Sequence, residues 1–533
     1  MDTWRLPFLR VVLAGCGLAL PLCSAHGENP SFDPHFAVAE YRVEGATLVD
    51  RARINDALAG FTGPDQSFDS LRKAVEAVEA VYHAAGYPAV RVQLPEQEID
   101  SGVVLLRVIE ARLSFLQVEG NQHFSDQNIL ASVPGLVPGQ PPSVARVEAS
   151  LALANESFAK RARLSFAQGE QEGAVVARIQ VADERPWRVI AFADNTGTAA
   201  TGRHRLGLIG QHANLFDLDH AMTAMYVTSP EKPSQVNIYN VGYKIPIYRW
   251  GDSVEFTYTH SNVDSGTVDA AGASLAISGR GSTTSLRYNL GLNRWNGREQ
   301  RLSLGLDHQI VDSRATPVGG GGSVLPTPRV TATPLSLTYT LSSPEGQNNW
   351  HTSLGALQNI PVGRNGDSET YNGSRAGANV RFLVWRWALG GSVALGEWNL
   401  KGELAGQETH DRLVSFEQFG LGGADSVRGF NEREIANDRG HRGSVELATP
   451  AREFVSGWRG NLVGFYDFGR LYANNPQPTD ASVREGIASA GAGLRLVAGR
   501  GLFLKADLAR VLVGGGSKVP GDLSAHVSLI ALF

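Results

Sequence analysis

Ala525-His526-Val527-Ser528-Leu529-Ile530-Ala531-Leu532-Phe533 ends the chain. Side chains of an extended strand alternate with a period of two, so Ala525, Val527, Leu529, Ala531 and Phe533 share one apolar face. A soluble domain gains little from a last strand whose greasy face runs out to an aromatic residue. A strand on the outer wall of a lipid-embedded β-barrel gains a great deal. Upstream the same alternation recurs. Val254, Phe256 and Tyr258 oppose Glu255, Thr257 and Thr259, and Leu302, Leu304 and Leu306 oppose Arg301, Ser303 and Gly305. Leu286, Tyr288, Leu290 and Leu292, and then Leu335, Leu337, Tyr339 and Leu341, repeat it with turn residues between segments. Helical periodicity is absent from Trp187 onward, and no stretch of eighteen apolar residues follows the leader. A chain that cannot cross a bilayer as helices can still cross as a closed barrel, where every backbone group pairs with a neighbouring strand.

The beginning of the chain agrees. Arg5 and Arg10 precede an apolar run from Val11 to Leu22, and Cys23-Ser24-Ala25 supplies small residues for cleavage, so residues 1–25 read as a signal peptide. Leu13-Ala14-Gly15-Cys16 spells a lipoprotein box, but the apolar run continues past it. Both cysteines, Cys16 and Cys23, lie in this leader, so disulfides and thiolate sites are not expected in the mature chain. The leader holds two of the 48 basic and one of the 53 acidic residues, which leaves a formal charge of −6 and no basic footprint for nucleic acid.

Residues 36–184 read as two α/β units of similar plan. In the first, Ala37 to Val43 alternates as a strand and Arg53 to Ala59 is a short helix. Leu71, Ala74, Val75, Val78 and Tyr82 mark a longer helix over residues 68–85, and strands follow at 90–94 and 103–109. The second repeats the order with a strand at 113–118, helices at 126–133 and 144–158, and strands at 161–166 and 174–181. Neither unit carries a catalytic constellation.

Two segments stand out within the barrel region. Gly422-Gly423-Ala424-Asp425-Ser426-Val427-Arg428-Gly429-Phe430 puts an arginine on a glycine-bounded loop tip. Phe465-Tyr466-Asp467-Phe468-Gly469 puts Phe465, Asp467 and Gly469 on one face of a strand. An aspartate facing lipid is costly, so that face is expected to be the lumen. A guanidinium can meet the carboxylate through two parallel hydrogen bonds. Breaking such a pair costs about 3–5 kcal/mol if it is desolvated, and nearer 1 kcal/mol if it is wet. The alternative is that Arg428 sits on an external loop and Asp467 pairs elsewhere.

These residues carry a resemblance. The chain resembles the outer-membrane transporters of two-partner secretion, within the Omp85 superfamily, over essentially its whole mature length. Tyr82-His83-Ala84-Ala85-Gly86-Tyr87 and Leu94-Pro95-Glu96-Gln97 are similar to segments of the family's POTRA modules. Asp194-Asn195-Thr196-Gly197 and Asn214-Leu215-Phe216-Asp217-Leu218-Asp219 are similar to its opening barrel strands. Val427-Arg428-Gly429-Phe430 matches the signature at the tip of a loop that folds into the lumen. Phe465, Asp467 and Gly469 match the strand motif whose acid receives that arginine.

The resemblance implies α+β POTRA modules at 32–111 and 112–185. It implies an antiparallel transmembrane barrel of about 16 strands at 187–533, with an inserted loop around 413–440. It implies a Gram-negative outer membrane, the modules in the periplasm, and lipid around the barrel. The partner implied is an unfolded secreted exoprotein of the β-helical adhesin or haemolysin type. Phe533 would be the signal read by the barrel-assembly machinery. Two features depart from the pattern. About ten residues separate Ala25 from the first strand, which leaves little room for the plug helix that relatives often carry. Ala111 stands where relatives usually have glycine.

No enzyme is expected. Asp467-Phe468-Gly469 spells a kinase magnesium motif without its partner motifs. His204, His212 and His220 are spaced about 27 Å apart at each eight-residue step along a strand, too far to share a metal. The Gly319–Gly322 run lacks the lysine and helix of a phosphate loop. Cofactors and metals are therefore expected to be none. The rival function is an assembly factor that inserts other barrels, which usually carries three to five POTRA modules; a passive porin would need none.

Overall fold

The computed structural model describes residues 35–533 apart from 100, 172, 200, 264–265, 271–272, 278–279, 315–325, 344–345, 347 and 479–482. The expected signal peptide, its two cysteines, any plug helix and the Gly319–Gly322 run lie outside the described residues.

In the first module β1 (Glu40–Glu44) is followed by α1 (Arg51–Leu58) and α2 (Phe68–Ala84), then by β2 (Arg91–Gln93) and β3 (Val103–Ile109). The sheet order is β1-β3-β2, with β1 parallel to β3. Leu71, Ala74 and Val78 are buried along α2, as the three- and four-residue spacing predicts. The expected first strand is split, because a separate short strand, Phe36–Val38, pairs with Gly63–Gln66 instead.

The second module repeats the plan with β4 (Arg112–Glu119), α3 (Asp126–Ala131), α4 (Val144–Ala154), β5 (Lys160–Gln168) and β6 (Ala174–Asp183), ordered β4-β6-β5. Its core gathers Leu113, Phe124, Ile129, Val133, Val147, Ala177 and Ile179. Helix α4 stops four residues before the expected Phe158. The Asn155 side chain donates to the Ala162 carbonyl and accepts from the Ala162 amide, at 2.9 and 2.7 Å, which ties the chain to β5.

The two modules share one backbone feature that the sequence hides. Val43-Glu44-Gly45 and Val118-Glu119-Gly120 end their first strands on glycines with φ of 82° and 90°. A Cβ there would lie 2.3 Å from the Val108 carbonyl oxygen and 2.4 Å from that of Val181, respectively. Only glycine fits such an approach at positive φ. Gly120→Ala is expected to destabilise the second module by about 2 kcal/mol or more, the left-handed backbone and the overlap adding. The helical circular-dichroism signal of the detergent-solubilised chain reports this as a lower melting point. It is a clean reporter, because among the described residues the barrel region has a single short α-helix, α5 (Ser368–Ser374).

Most of the remaining strands close into an antiparallel barrel of sixteen staves. They are β7 (Trp187–Asp194), β8 (Arg205–Leu215), β9 (His220–Thr228), β10 (Asn237–Ile247), β11 (Asp252–Ser261), β12 (Arg280–Trp295) and β13 (Arg298–Arg314). Next come β14 (Pro326–Ala332 continued by Pro334–Ser342), β15 (Asn349–Asn359), β16 (Leu383–Leu395), β17 (Trp398–Glu408) and β18 (Arg439–Ala448 with Arg452–Val455). The last four are β19 (Trp458–Tyr472), β20 (Arg484–Ala498), β21 (Leu502–Val513) and β22 (Leu523–Leu532). The break in β14 falls before Pro334, which has no N–H to give the ladder.

Leu286, Leu304, Leu335, Leu462, Tyr466 and Leu529 lie outward and exposed on the barrel wall. Water would penalise that surface and lipid removes the penalty. Exposed Trp187, Trp250, Trp295 and Trp398 sit at the short-turn end, as in an interfacial girdle. β22 closes the ring on β7 through five register pairs, Ser528↔Asp194 to Leu532↔Ile190, whereas β19 and β20 share fifteen. The Asn195 side chain extends the seam to the Ala525 carbonyl and the Val527 amide. The backbone of Phe533 exchanges two hydrogen bonds with Val189.

The second module is joined to the barrel by a buried polar cluster. The β8–β9 turn holds Phe216, Asp217 and Asp219 at φ of 60°, 59° and 57°. Lys160, its side chain fully buried, donates to Asp219 at 2.5 Å and to Asn128 at 3.1 Å. Tyr248, from the next turn, donates to the same Asp219 oxygen at 2.6 Å. Asn128 bonds Asn214 and the Asp217 carbonyl, and Ser125 bonds the Asp217 carboxylate.

Candidate functional site: an arginine clamp inside the barrel

The chain between β17 and β18 turns into the lumen. Its base is held by two buried carboxylates. Asp438 receives Arg375 and the amides of Leu413 and Asn474, the latter two at 2.9 Å. Glu417 receives Arg386 at 2.9 Å and Gln309 at 3.2 Å. A small hairpin, Phe419–Leu421 against Ile435–Asn437, carries the tip between them.

At the tip each residue of the expected motif has a separate physical task. Val427 and Phe430 are buried and pack with Leu421 and Ile435 against Leu471, Ile487 and Val511 of the wall. Arg428 lies between them. Its Nε donates to Asp467 Oδ2 at 2.6 Å and its Nη2 to Oδ1 at 2.7 Å, a two-pronged pair, and its amide adds a third bond at 3.1 Å. The guanidinium stacks over the Phe465 ring at 3.5 Å. Gly429 takes φ of 95°, which glycine adopts freely. Gly469 leaves room for the loop, since a Cβ there would lie 2.6 Å from Leu421 Cδ1.

Both charges are desolvated, with side chains 4 % and 0 % exposed. Burial disfavours the guanidinium charge, but the hydrogen bonds and attraction of Asp467, helped by Glu446 and Asp507, hold its pKa above the ordinary value. The pair thus falls under the dry alternative weighed from the sequence.

Several partners were not singled out from the sequence. Ser444 donates to Asp467 at 2.7 Å and accepts from Arg428 at 3.2 Å, and Glu446 accepts from Arg428 Nη1. Asp507 lies 3.9 Å from Arg428 and 2.7 Å from Arg495. Their signal was present: Glu446, Arg495 and Asp507 each fall between apolar neighbours, on the lumen-facing phase of an alternating strand. Beside the clamp a cavity of about 290 Å³ is lined by Lys401, Glu403, Asp425, Ser426 and Lys505, a polar space suited to water. Among the described residues no cluster of histidine, cysteine or acid side chains could hold a metal ion.

The family described as haemolysin secretion/activation protein ShlB/FhaC/HecB matches residues 173–496, more than half of the chain. The chain belongs to this family. A ShlB-type POTRA domain matches residues 36–111. The outer membrane transporter CdiB of Escherichia coli O6:K15:H31 (strain 536 / UPEC) is 25 % identical over 480 residues, covering 88 % of this chain and 78 % of that one. The haemolysin transporter protein HpmB of Proteus mirabilis is 22 % identical over 429 residues, 77 % of this chain and 71 % of that one. The solved CdiB from Escherichia coli superposes with a TM-score of 0.79 at 22 % identity, over 96 % of this chain and 93 % of that one. CdiB from Acinetobacter baumannii gives 0.70 at 15 % identity, over 94 % and 90 %.

As a ShlB-family member the chain is an outer-membrane transporter of two-partner secretion, with POTRA modules in the periplasm and an exoprotein as its partner. Family membership decides against the assembly-factor alternative.

Proposed function

We propose that the transporter captures one unfolded exoprotein, of the β-helical adhesin, haemolysin or toxin type, on its POTRA modules and passes it through the barrel. The exposed edge strands of the modules suit pairing with an extended client, main-chain bonds giving affinity and side-chain pockets selectivity. The loop clamped by Val427, Arg428, Gly429 and Phe430 on Phe465, Asp467 and Gly469 shapes the conduit. The observation that carries this reading is the dry, two-pronged Arg428–Asp467 pair, which fixes a loop across an otherwise polar bore. Without a nucleotide site in the sequence, folding of the client outside is the source of direction. Phe533, outward and exposed, suits recognition by the barrel-assembly machinery, and the apolar wall suits outer-membrane lipid.

Deleting the gene in its host and comparing surface, medium and periplasm by mass spectrometry tests the cargo class. One large repeat-rich protein is expected to vanish from outside and to be degraded inside. Loss of many unrelated outer-membrane proteins, or of a small globular protein alone, would overturn it.

A further inference from the structure

His526 lies on β22, beside the closing seam, and its ring is almost fully buried. Its Nε2 stands 2.9 Å from the amide nitrogen of Gly429, at the centre of the clamp tip. A backbone N–H can only donate, so Nε2 must present its lone pair and the ring must be neutral with its proton on Nδ1. No hydrogen-bond partner for Nδ1 is present among the described residues. The loop is thus held at two successive residues from two walls: the Arg428 side chain by β19, and the Gly429 backbone by β22.

We propose that His526 is a positioning residue for the inserted loop, that it holds the tip by accepting the Gly429 amide, and that protonation of the imidazole releases this hold. Adding a proton to Nε2 sets two donors face to face across a bond that needs one acceptor. The groups facing the ring are known from each side. From β21, Asp507 is its direct register partner and Lys505 lies nearby; from the loop come Arg428 and Asp425. On β7 the nearest acid, Asp194, pairs two positions along with Ser528. Asp507 is already engaged by Arg495, and Arg428 adds repulsion toward a second cation in the same dry space. This inference rests on the loop being seated in the lumen; it does not depend on which exoprotein is carried.

The test is hydrogen–deuterium exchange of the segment 422–434 in the full mature protein in lipid nanodiscs, at pH 7.5 and 4.5, corrected for intrinsic exchange. In the wild type, protection at Gly429 is expected to fall about five- to tenfold at the lower pH, the scale of one buried hydrogen bond. His526→Gln keeps an acceptor that does not titrate and should be protected equally at both values. His526→Leu should lack the protection at both. Glu432, whose carboxyl burial pushes up to about 8, shares the tip and serves as the internal rival. A pH response that persists in His526→Gln would assign the effect to Glu432 or another group and overturn the proposal. So would a wild type with equal protection at both pH values, which needs no variant to fold. Cargo export by Arg428→Ala is measured alongside: normal export there, with the predicted exchange pattern at His526, would leave the His526 inference standing while removing the clamp from the transport reading.

Discussion

Arg428→Ala is expected to weaken the hold on the inserted loop by about 3–5 kcal/mol, and adding Asp467→Ala should give part of that back. The sign of the second step comes from charge counting. In the native clamp Arg428 and Arg495 face Asp467, Glu446 and Asp507, two cations against three anions. Removing Arg428 leaves three carboxylates around Arg495 alone, and buried Asp467 keeps only Ser444 as a side-chain partner. Removing Asp467 as well restores the original imbalance of one. Asp467→Ala alone should be milder than Arg428→Ala, since Arg428 retains Glu446. Exchange protection of residues 422–434 gives the energies, and the double-mutant cycle gives the coupling. Equal losses in the single and double variants would mean that the pair is wet and that its dryness does not matter. Export of the partner from stably inserted Arg428→Ala at the normal rate would remove the clamp from the mechanism.

Asp219→Asn is the second large effect expected, at about 3–5 kcal/mol on the joint between the second module and the barrel. Asparagine tolerates the left-handed backbone at this position, so the change isolates the charge. It strands Lys160, which is buried at 0 % exposure with Asn128 as its other polar partner. Burial already lowers the Lys160 pKa against the opposing pull of Asp219. Its folded-state value therefore lies below the ordinary 10.5, and the unfolded chain binds more protons in the window between the two. Stability of the joint should thus rise with pH through that window, toward 10.5, and in Asp219→Asn the rise should begin at lower pH, because the carboxylate that opposed the lowering is gone. Lys160→Met combined with Asp219→Asn should recover most of the loss and flatten the pH response. Thermal melts of the helical signal between pH 7 and pH 10 read both. A flat profile in the single variant would mean that water reaches the amine.

Period-two alternation made the barrel legible, because lipid on one side and water on the other impose opposite demands on neighbouring residues. Asp467 could be placed in the lumen by that argument alone. The order of the modules was legible from helical spacing. Less visible was anything decided by approach between distant segments. Glycines 45 and 120 look ordinary until the carbonyls of Val108 and Val181 are seen against them. Lys160 reads as a solvated lysine opening a strand, and its burial depends on a turn 59 residues away. Glu446, Arg495 and Asp507 were each on the lumen face by count, yet which of them meet depends on strand stagger, which no local pattern encodes.

The narrow seam between β7 and β22 has a consequence for how the molecule is made. It joins segments some 330 residues apart, as the Asn195–Ala525 bond shows, so it is the contact with the greatest loop-closure entropy. Hairpins can zip together one after another while both outermost strands still lack a neighbour. A hoop fastened last is, for most of its construction, a curved sheet with two raw edges, each able to recruit a stranger's strand. Closing the β7–β22 seam is therefore the step that removes both raw edges at once.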